Sequence, residues 1–362
     1  MKIVHIINSL ASGGAEKLLL DTLPIYKEKG IVVDLLVLNG TSSPFMQALK
    51  ETACCSIYSL GLNSVYNPIQ VFKLIPFLKK YEIAHVHLFP TQYWVVLAKL
   101  LSFSKIKLIL TEHNSTNPRL ENRFIAVLDR LFYRFYDKVI CVSNEISNTF
   151  KNYTGIRESK FVVIENGIDL IKIHEAKPYF KNEISNLFSA KDFIMIQVAR
   201  FDKQKDQETV IHSLTYLREN VKLILVGEGV FKTKCRELVQ ELKLQERVLF
   251  LGQRMDVPQL LKTADVVVLS SRYEGLSLSS IEGMASGKPF VASDVPGLQE
   301  IVSGAGILFK QGDAKELANT IERLLTDEVY YQETVNSCLK RSEQFEIQLM
   351  VEKHIHLYQT IV

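Results

Sequence analysis

The sequence is short of the features that mark several protein classes. Only one tryptophan and five cysteines occur in 362 residues, and no two cysteines are spaced C-x-x-C. Cys54, Cys55, Cys141, Cys235 and Cys338 therefore fit neither a disulfide framework nor a zinc site. Three of them lie in apolar surroundings, where cysteine acts as a small core residue, and this usage points to a reducing compartment. No run reaches the roughly 20 apolar residues of a membrane-spanning helix; the nearest, Tyr93 to Phe103, is short and contains Lys99. The N-terminal MKIVHIINSL is broken by His5 and Asn8 and lacks a small-residue cleavage site. It reads as a first buried strand rather than a leader. An excess of one charge is also missing. Lys and Arg number 43 against 40 Asp and Glu, and no basic tract occurs, which argues against nucleic-acid binding.

What is present is ordinary globular composition, 47% hydrophobic and 23% charged, on a chain longer than one core usually serves. Short runs rich in Val, Ile and Leu alternate with amphipathic stretches from end to end. The first series is Lys2–Ile7, Val32–Leu38, Ala84–Leu88, Lys107–Leu110, Lys138–Val142 and Phe161–Ile164. The second is Phe193–Val198, Lys222–Val226, Val248–Leu251, Val266–Leu269 and Pro289–Ala292. Near-continuous apolar strands separated by helices predict an α/β protein with parallel sheets covered on both faces. The alternation pauses between Asn166 and Ala190, which reads as an interdomain linker. The expected division is residues 1–170, residues 171–345, and a terminal helix over 346–362.

Three segments carry candidate chemistry. Ser12-Gly13-Gly14-Ala15-Glu16 follows the first strand and opens a helix, where free amides attract anions. It is not the full G-x-G-x-x-G fingerprint, so a nicotinamide cofactor is not favoured. Arg200-Phe201-Asp202-Lys203-Gln204-Lys205-Asp206 follows the first strand of the second half. Ligands bind beyond the carboxyl ends of parallel strands, and two cations there suit a diphosphate. The third segment runs from Ser270 to Pro289, with Glu274 in a loop and Glu282 about two turns into the next helix. The turn Gly275-Leu276-Ser277-Leu278-Ser279 offers amides. A carboxylate at Glu274 can accept hydrogen bonds from sugar hydroxyls, and one at Glu282 can hold a ribose. Each segment also has a plainer reading: turn geometry, a solvated mixed-charge loop, and a capped helix with two surface glutamates.

The Glu-x-x-x-x-x-x-x-Glu spacing, followed by Met284-Ala285-Ser286-Gly287-Lys288-Pro289, resembles the signature of family 4 glycosyltransferases. The likeness extends along nearly the whole chain. Gly13-Gly14 resembles that family's phosphate loop, Ala84-His85-Val86-His87 a strand end, and Thr111-Glu112-His113 its active-site histidine segment. Asn166-Gly167-Ile168-Asp169 resembles its interdomain turn, Arg200 with Lys205 its diphosphate pair, and Val295 to Val302 the segment after its last core strand. The resemblance implies a GT-B fold, with two Rossmann-like domains whose parallel sheets face each other across a cleft.

It further implies a retaining hexosyltransferase that takes sugar from a nucleotide-diphosphate sugar, UDP-sugar by family habit, with GDP-mannose open. By the same resemblance His113, Arg200, Lys205 and Glu274 are catalytic. Donor contacts fall to Gly13, Gly14, Arg200, Lys205, Arg254, Glu274, Gly275, Leu276, Ser277, Leu278, Ser279 and Glu282. Cations and the amides of Gly14, Leu278 and Ser279 would stabilise charge on the leaving phosphate. His113 would position the sugar. No Asp-x-Asp metal motif occurs, so neither metal nor other cofactor is expected. His85 and His87 share one face of a strand but lack a Cys or carboxylate partner, and read as core or cleft-lining residues. The sequence departs from the family pattern in three places. Gly283 stands where Ala is common, which should be tolerated; Asp206 stands where Gly is frequent; and Leu278-Ser279 varies among members.

Acceptor recognition is less specific. At about 100° per residue, Arg119, Arg123, Arg130 and Arg134 fall within an arc of about 60°, beside Phe124, Val127, Leu128, Leu131 and Phe135. Such a helix fits anionic lipid or a pyrophosphate-linked acceptor, or packs on its sheet with arginines along the rim. Phe345 to Val362 reads as an amphipathic helix, which in the resembled fold crosses back to the N-terminal domain. The expected partners are thus a nucleotide-sugar, a glycan or lipid-linked acceptor in surface-polysaccharide or lipopolysaccharide assembly, and a peripheral membrane contact. The expected place is the cytoplasm, at the inner face of the plasma membrane. Two other readings stay open at this point: a nucleotide-sugar epimerase of the same fold, and a non-catalytic sugar-nucleotide-binding subunit.

Overall fold

A computed structural model describes residues 1–11, 13–113 and 123–362, with the side chains of residues 123 and 124 outside the description. The chain forms two compact units. One is Met1–Gly167 together with Ile347–Val362; the other is Ile168–Glu346.

The strands of the first unit are β1 (Lys2–Ile7), β2 (Val32–Val37), β3 (Ile57–Ser59), β4 (Ile83–His87), β5 (Lys107–Glu112), β6 (Lys138–Cys141) and β7 (Phe161–Val163). They form a parallel sheet in the order β3-β2-β1-β4-β5-β6-β7. Its helices are α1 (Gly14–Glu28), α2 (Pro44–Thr52), α3 (Gln70–Leu78), α4 (Thr91–Ser102), α5 (Arg123–Tyr133) and α6 (Asn144–Thr154). Ile3 lies opposite both Val33 and Ile83, so β-branched residues line up across β2, β1 and β4. Side chains that fill both faces of the sheet explain why the sequence shows runs rather than alternation.

The second unit repeats the plan. Its strands are β8 (Phe193–Val198), β9 (Val221–Val226), β10 (Val248–Gly252), β11 (Val266–Leu269), β12 (Phe290–Ser293) and β13 (Ile307–Phe309), ordered β10-β9-β8-β11-β12-β13 and all parallel. Helices α7 (Leu170–His174), α8 (Lys181–Ile184), α9 (Gln207–Ser213), α10 (Lys232–Glu241), α11 (Val257–Thr263), α12 (Leu278–Ala285), α13 (Leu298–Val302), α14 (Ala314–Thr326) and α15 (Glu328–Ser342) surround it. One core joins Met195, Leu223, Val268 and Val291 of the sheet to Val210 of α9 and Ile321 of α14. In each sheet the strand order reverses beside the first strand, between β1 and β4 and between β8 and β11. Such switch points leave a crevice at the strands' carboxyl ends.

The stretch from 168 to 190 packs on the second unit. The Tyr179 amide donates to Thr263 Oγ1 at 2.9 Å, and Lys181 pairs with Asp265 at 2.7 Å. The last helix, α16 (Ile347–Ile361), belongs to the first unit, where Lys29 pairs with Glu352 at 2.8 Å and the Gly167 amide donates to Met350 Sδ. Gly283, on α12, has a specific cause. A Cβ there would stand 2.6 Å from the Phe290 ring and 3.0 Å from Val267 Cγ1. The bulk of Phe290 occupies the space an alanine methyl would need, so Gly283 is required by its neighbour rather than merely tolerated. No helix among the described residues is long and apolar enough to cross a membrane.

Candidate active site

In the second unit two loops meet at the switch point between β8 and β11. The loop after β8 carries Arg200 and Lys205, and the loop after β11 carries Glu274. Lys205 Nζ and Glu274 Oε1 form an ion pair, and the Ser271 hydroxyl donates to the same carboxylate oxygen. Both side chains are largely withdrawn from water, at 16% and 5% exposure, so each charge depends on the other. Arg200 points outward at 59% exposure, with Nε donating to Asp202 Oδ2 at 2.8 Å. The other oxygen of Asp202 accepts from the amides of Gln204 (2.9 Å) and Lys205 (3.2 Å), which folds the loop back on itself. The Lys205 carbonyl accepts from Gln197 Nε2 and Ser270 Oγ, each at 3.0 Å, fixing the lysine backbone to both strands.

Asp206 follows with φ 46°, in the left-handed region. This is why glycine is at home at such a position, and Asp is among the few other residues that adopt it readily. Its carboxylate accepts from Thr209 Oγ1 at 2.8 Å and from Arg272 Nη2 at 3.3 Å, a tie between the two loops that glycine could not make.

Sequence reasoning missed the residues behind this loop. Gly227 and Gly229, directly after β9, lie against the backbone of Ala199 and Phe201; a Cβ would come within 2.1 Å and 2.2 Å of those carbonyl oxygens. The Phe201 amide donates to the Glu228 carbonyl at 2.9 Å. A glycine pair at the end of a strand was the available signal. Gly297 does the same for the other loop. Its φ is 81°, and a Cβ would meet the Glu274 carbonyl oxygen at 2.2 Å. These contacts set where Arg200 and Glu274 stand.

Helix α12 begins at Leu278 with Ser277 as its cap residue, and the carbonyl of Ser277 accepts from the Ser280 amide at 3.2 Å. The amides of Leu278 and Ser279 therefore fall at a helix start, where N–H groups lack intrahelical partners. Glu282 lies on α12, half-buried, one turn beyond Leu278, while Gly275 and Leu276 fill the turn before it. Arg254 is placed differently. It follows the edge strand β10 and forms a two-pronged pair with Asp256, at 2.8 and 2.6 Å, to which the Tyr179 hydroxyl also donates. The guanidinium and the phenol hold the Asp256 carboxyl down, at about 2.

Gly13, Gly14 and His113 lie in the first unit. Gly14 opens α1, and the Gly13 carbonyl accepts from the Lys17 amide at 2.9 Å. His113 follows β5, and its Nε2 is 3.3 Å from His87 Nδ1. Burial lowers its pKa to about 4, so the ring is neutral near pH 7. It is one end of a cluster with His5, His85, His87 and His354. Ring nitrogens of His5, His85 and His87 lie within 4.8 Å of one another, a spacing that could hold a metal ion. Each of these nitrogens is engaged in a hydrogen bond with another ring or a hydroxyl.

Of the basic stripe, Arg119 and the side chain of Arg123 lie outside the described residues. On the remainder of α5 and its end, Arg130 and Arg134 are exposed, and so are Val127 (65%) and Leu131 (50%). Tyr133 and Asp129 form the buried side, where Asp129 accepts from the hydroxyls of Tyr93 and Tyr153. The helix thus turns two apolar residues and two arginines to solvent together, and packs through other positions.

Residues 12–172 match the family model described as Glycosyltransferase Family 4, and residues 180–344 match that of Glycosyl transferases group 1. Over 297 residues the chain is 29% identical to N-acetyl-alpha-D-glucosaminyl L-malate synthase of Bacillus anthracis, covering 77% of this chain and 74% of that protein. It is 27% identical over 348 residues to the UDP-Gal:alpha-D-GlcNAc-diphosphoundecaprenol alpha-1,3-galactosyltransferase of Escherichia coli, covering 92% and 87%. The crystal structure of Anabaena HepE in complex with UDP and glucose superposes over the full length of both chains with a TM-score of 0.87 at 23% identity.

Proposed function

The chain belongs to the family 4 glycosyltransferases and has their GT-B fold, and on that premise we propose that it moves a sugar from a UDP-sugar to a lipid-linked acceptor, with retention and without a metal. The observation that carries the donor half is the Lys205–Glu274 pair at the β8/β11 switch point, with Arg200 exposed beside it. Breaking a sugar–diphosphate bond leaves charge on the phosphate. Arg200, Lys205 and the first amides of α12 supply positive potential there, which takes the place of a cation. Glu274 receives sugar hydroxyls and Glu282 the ribose. In a front-face displacement, the C1–O bond to phosphate breaks as the acceptor oxygen bonds C1 from the same side. The leaving phosphate oxygen takes the acceptor's proton. The E. coli relative, whose named acceptor is diphosphoundecaprenol-linked, supports a lipid-linked acceptor. On this reading the chain serves surface-polysaccharide or lipopolysaccharide assembly at the inner face of the plasma membrane.

Thermal unfolding with a panel of UDP-, GDP-, ADP- and dTDP-sugars tests the donor half. A ligand bound only by the folded state adds about 2.7 kcal/mol at a hundredfold excess over its dissociation constant. The expected result is a shift with UDP-sugars alone, unchanged by EDTA and lost in Glu282→Ala. A shift abolished by EDTA overturns metal independence, and a shift with another nucleotide overturns UDP.

The membrane half rests on the outward side of α5, where Val127 and Leu131 lie beside Arg130 and Arg134. Arginine near an anionic surface contributes about 1 kcal/mol each. The double variant Arg130→Gln/Arg134→Gln is therefore expected to bind vesicles of anionic phospholipid roughly thirtyfold more weakly. Co-flotation unchanged by the double variant would remove this surface from the reading.

A further inference from the structure

We propose that a buried chain of hydrogen bonds, starting at Tyr358 on the C-terminal helix and passing through His5 and His87, holds His113 as its Nε2–H tautomer, which leaves its Nδ1 bare as an acceptor. Tyr358 and His87 are on this account positioning residues for His113. The consequence for the sugar rests on the site reading above; the tautomer itself does not.

The geometry is a single path. His113 Nε2 meets His87 Nδ1 at 3.3 Å, His87 Nε2 meets His5 Nδ1 at 3.0 Å, and His5 Nε2 meets the Tyr358 hydroxyl at 3.4 Å. Tyr358 also touches His85 Nδ1 at 2.7 Å and the Tyr26 hydroxyl at 3.3 Å. His85 Nε2 reaches Thr111 Oγ1 at 2.6 Å, and Tyr26 reaches His354 Nδ1 at 2.8 Å. Burial holds His5 and His354 down to about 3 and His113 to about 4, and lowers His85 and His87 well below the usual imidazole range. All five rings are therefore neutral near pH 7.

A neutral imidazole has one donor and one acceptor nitrogen. Along a line of such rings, the direction of one N–H fixes the direction of every other. The direction here is decided at Tyr358, which has one proton and three neighbours. The 2.7 Å contact to His85 suits a hydroxyl donor, whereas the 3.4 Å contact to His5 is the longest of the three. With the proton on the His85 side, His5 donates from Nε2 and accepts at Nδ1. His87 then donates from Nε2 and accepts at Nδ1, and His113 must donate from Nε2. Its Nδ1 has no partner among the described residues. The rest of the cluster closes consistently: His354 donates to Tyr26, Tyr26 to Tyr358, Tyr358 to His85, and His85 to Thr111. Every bond carries one proton. An acceptor at His113 can take a hydrogen bond from a sugar hydroxyl, which leaves that hydroxyl's oxygen free to face other donors.

The test is two-bond 1H–15N correlation on the ligand-free full chain with 15N-labelled histidine. The expected spectrum gives His113 a pyridine-type Nδ1 and a pyrrole-type Nε2. In Tyr358→Phe and in His87→Phe the pattern is expected to move towards a mixture of tautomers. A proton on Nδ1 of wild-type His113 overturns the proposal, and that measurement needs no variant to fold. An unchanged tautomer in both folded variants overturns the role of the chain. Addition of UDP-glucose separates the two layers. If the tautomer is as assigned but no His113 resonance moves, the placement of His113 beside the donor fails while the hydrogen-bond chain stands.

Discussion

Between pH 7 and pH 5 the first unit is expected to lose most of its stability. Four histidines, His5, His85, His87 and His354, are buried to 6% exposure or less, and all have pKa values pushed below 6.5 by desolvation, reinforced by neighbouring rings for His5, His85, His87 and His354 alike. The unfolded chain binds protons at these positions as pH falls through about 6.5, while the folded unit does not. Stability is thus fully present above the unfolded pKa and drains away as pH falls towards the folded values. His5 and His354, held at about 3, each contribute roughly 2 kcal/mol over this interval, and His85 and His87 act in the same direction, so the cluster removes several kcal/mol. Folded domains hold only about 5–15 kcal/mol in reserve. The single tryptophan, Trp94, makes the measurement selective. It lies on α4 of the first unit, with its indole donating to the Val65 carbonyl at 2.8 Å. Urea unfolding followed by its fluorescence should show a midpoint that drops steeply between pH 7 and pH 5. His354→Leu should flatten the dependence by about one proton. A midpoint that stays level over that range would mean that the rings accept protons without leaving the fold.

Replacing Glu274 or Lys205 is expected to give the largest loss of activity. Transition-state charge stabilised by a single prearranged group is worth about 10²–10³ in rate, so Lys205→Ala and Glu274→Gln should each lower kcat/KM by that order. Both should also destabilise the second unit, because removing one member of a buried pair strands the other at a cost of about 3–5 kcal/mol. The double variant Lys205→Met/Glu274→Gln separates the two effects. It removes both charges together, so neither is left buried without its partner; it should recover stability by calorimetry, yet transfer no sugar from the donor. Recovery of transfer in the double variant would show that the pair serves the fold alone.

Strands buried on both faces were legible because their composition is forced. Lys2–Ile7, Phe193–Val198 and Val266–Leu269 fall where their apolar runs place them. Of the three-residue edge strands, β7 was legible from the apolar run Phe161–Ile164 but β3 and β13 were not, and Tyr58 of β3 is 38% exposed. Such strands exist because a neighbour offers a ladder, which no local pattern records. The same limit applies to the site. The sequence placed Arg200 and Lys205 side by side as two cations, but strand order decides their partners. The adjacency of β8 and β11 gives Lys205 to Glu274 and leaves Arg200 with Asp202. His85 and His87 could be assigned to one strand face from spacing. Their meeting with His5 and His354 depends on the β1–β4 pairing and on the return of α16, both contacts between distant parts of the chain.

That return has a consequence for the order in which the protein comes into being. The first unit is built from the first 167 residues and the last sixteen, while residues 168–346 form a continuous unit of their own. During synthesis the earlier part emerges without the helix that supplies Tyr358 and His354, and its polar interior has no lid. The later unit can close on itself while the ribosome is still adding residues. The unit begun first is therefore finished last, and a chain released a few turns early would carry an intact second unit beside a first one with an open, water-reaching interior.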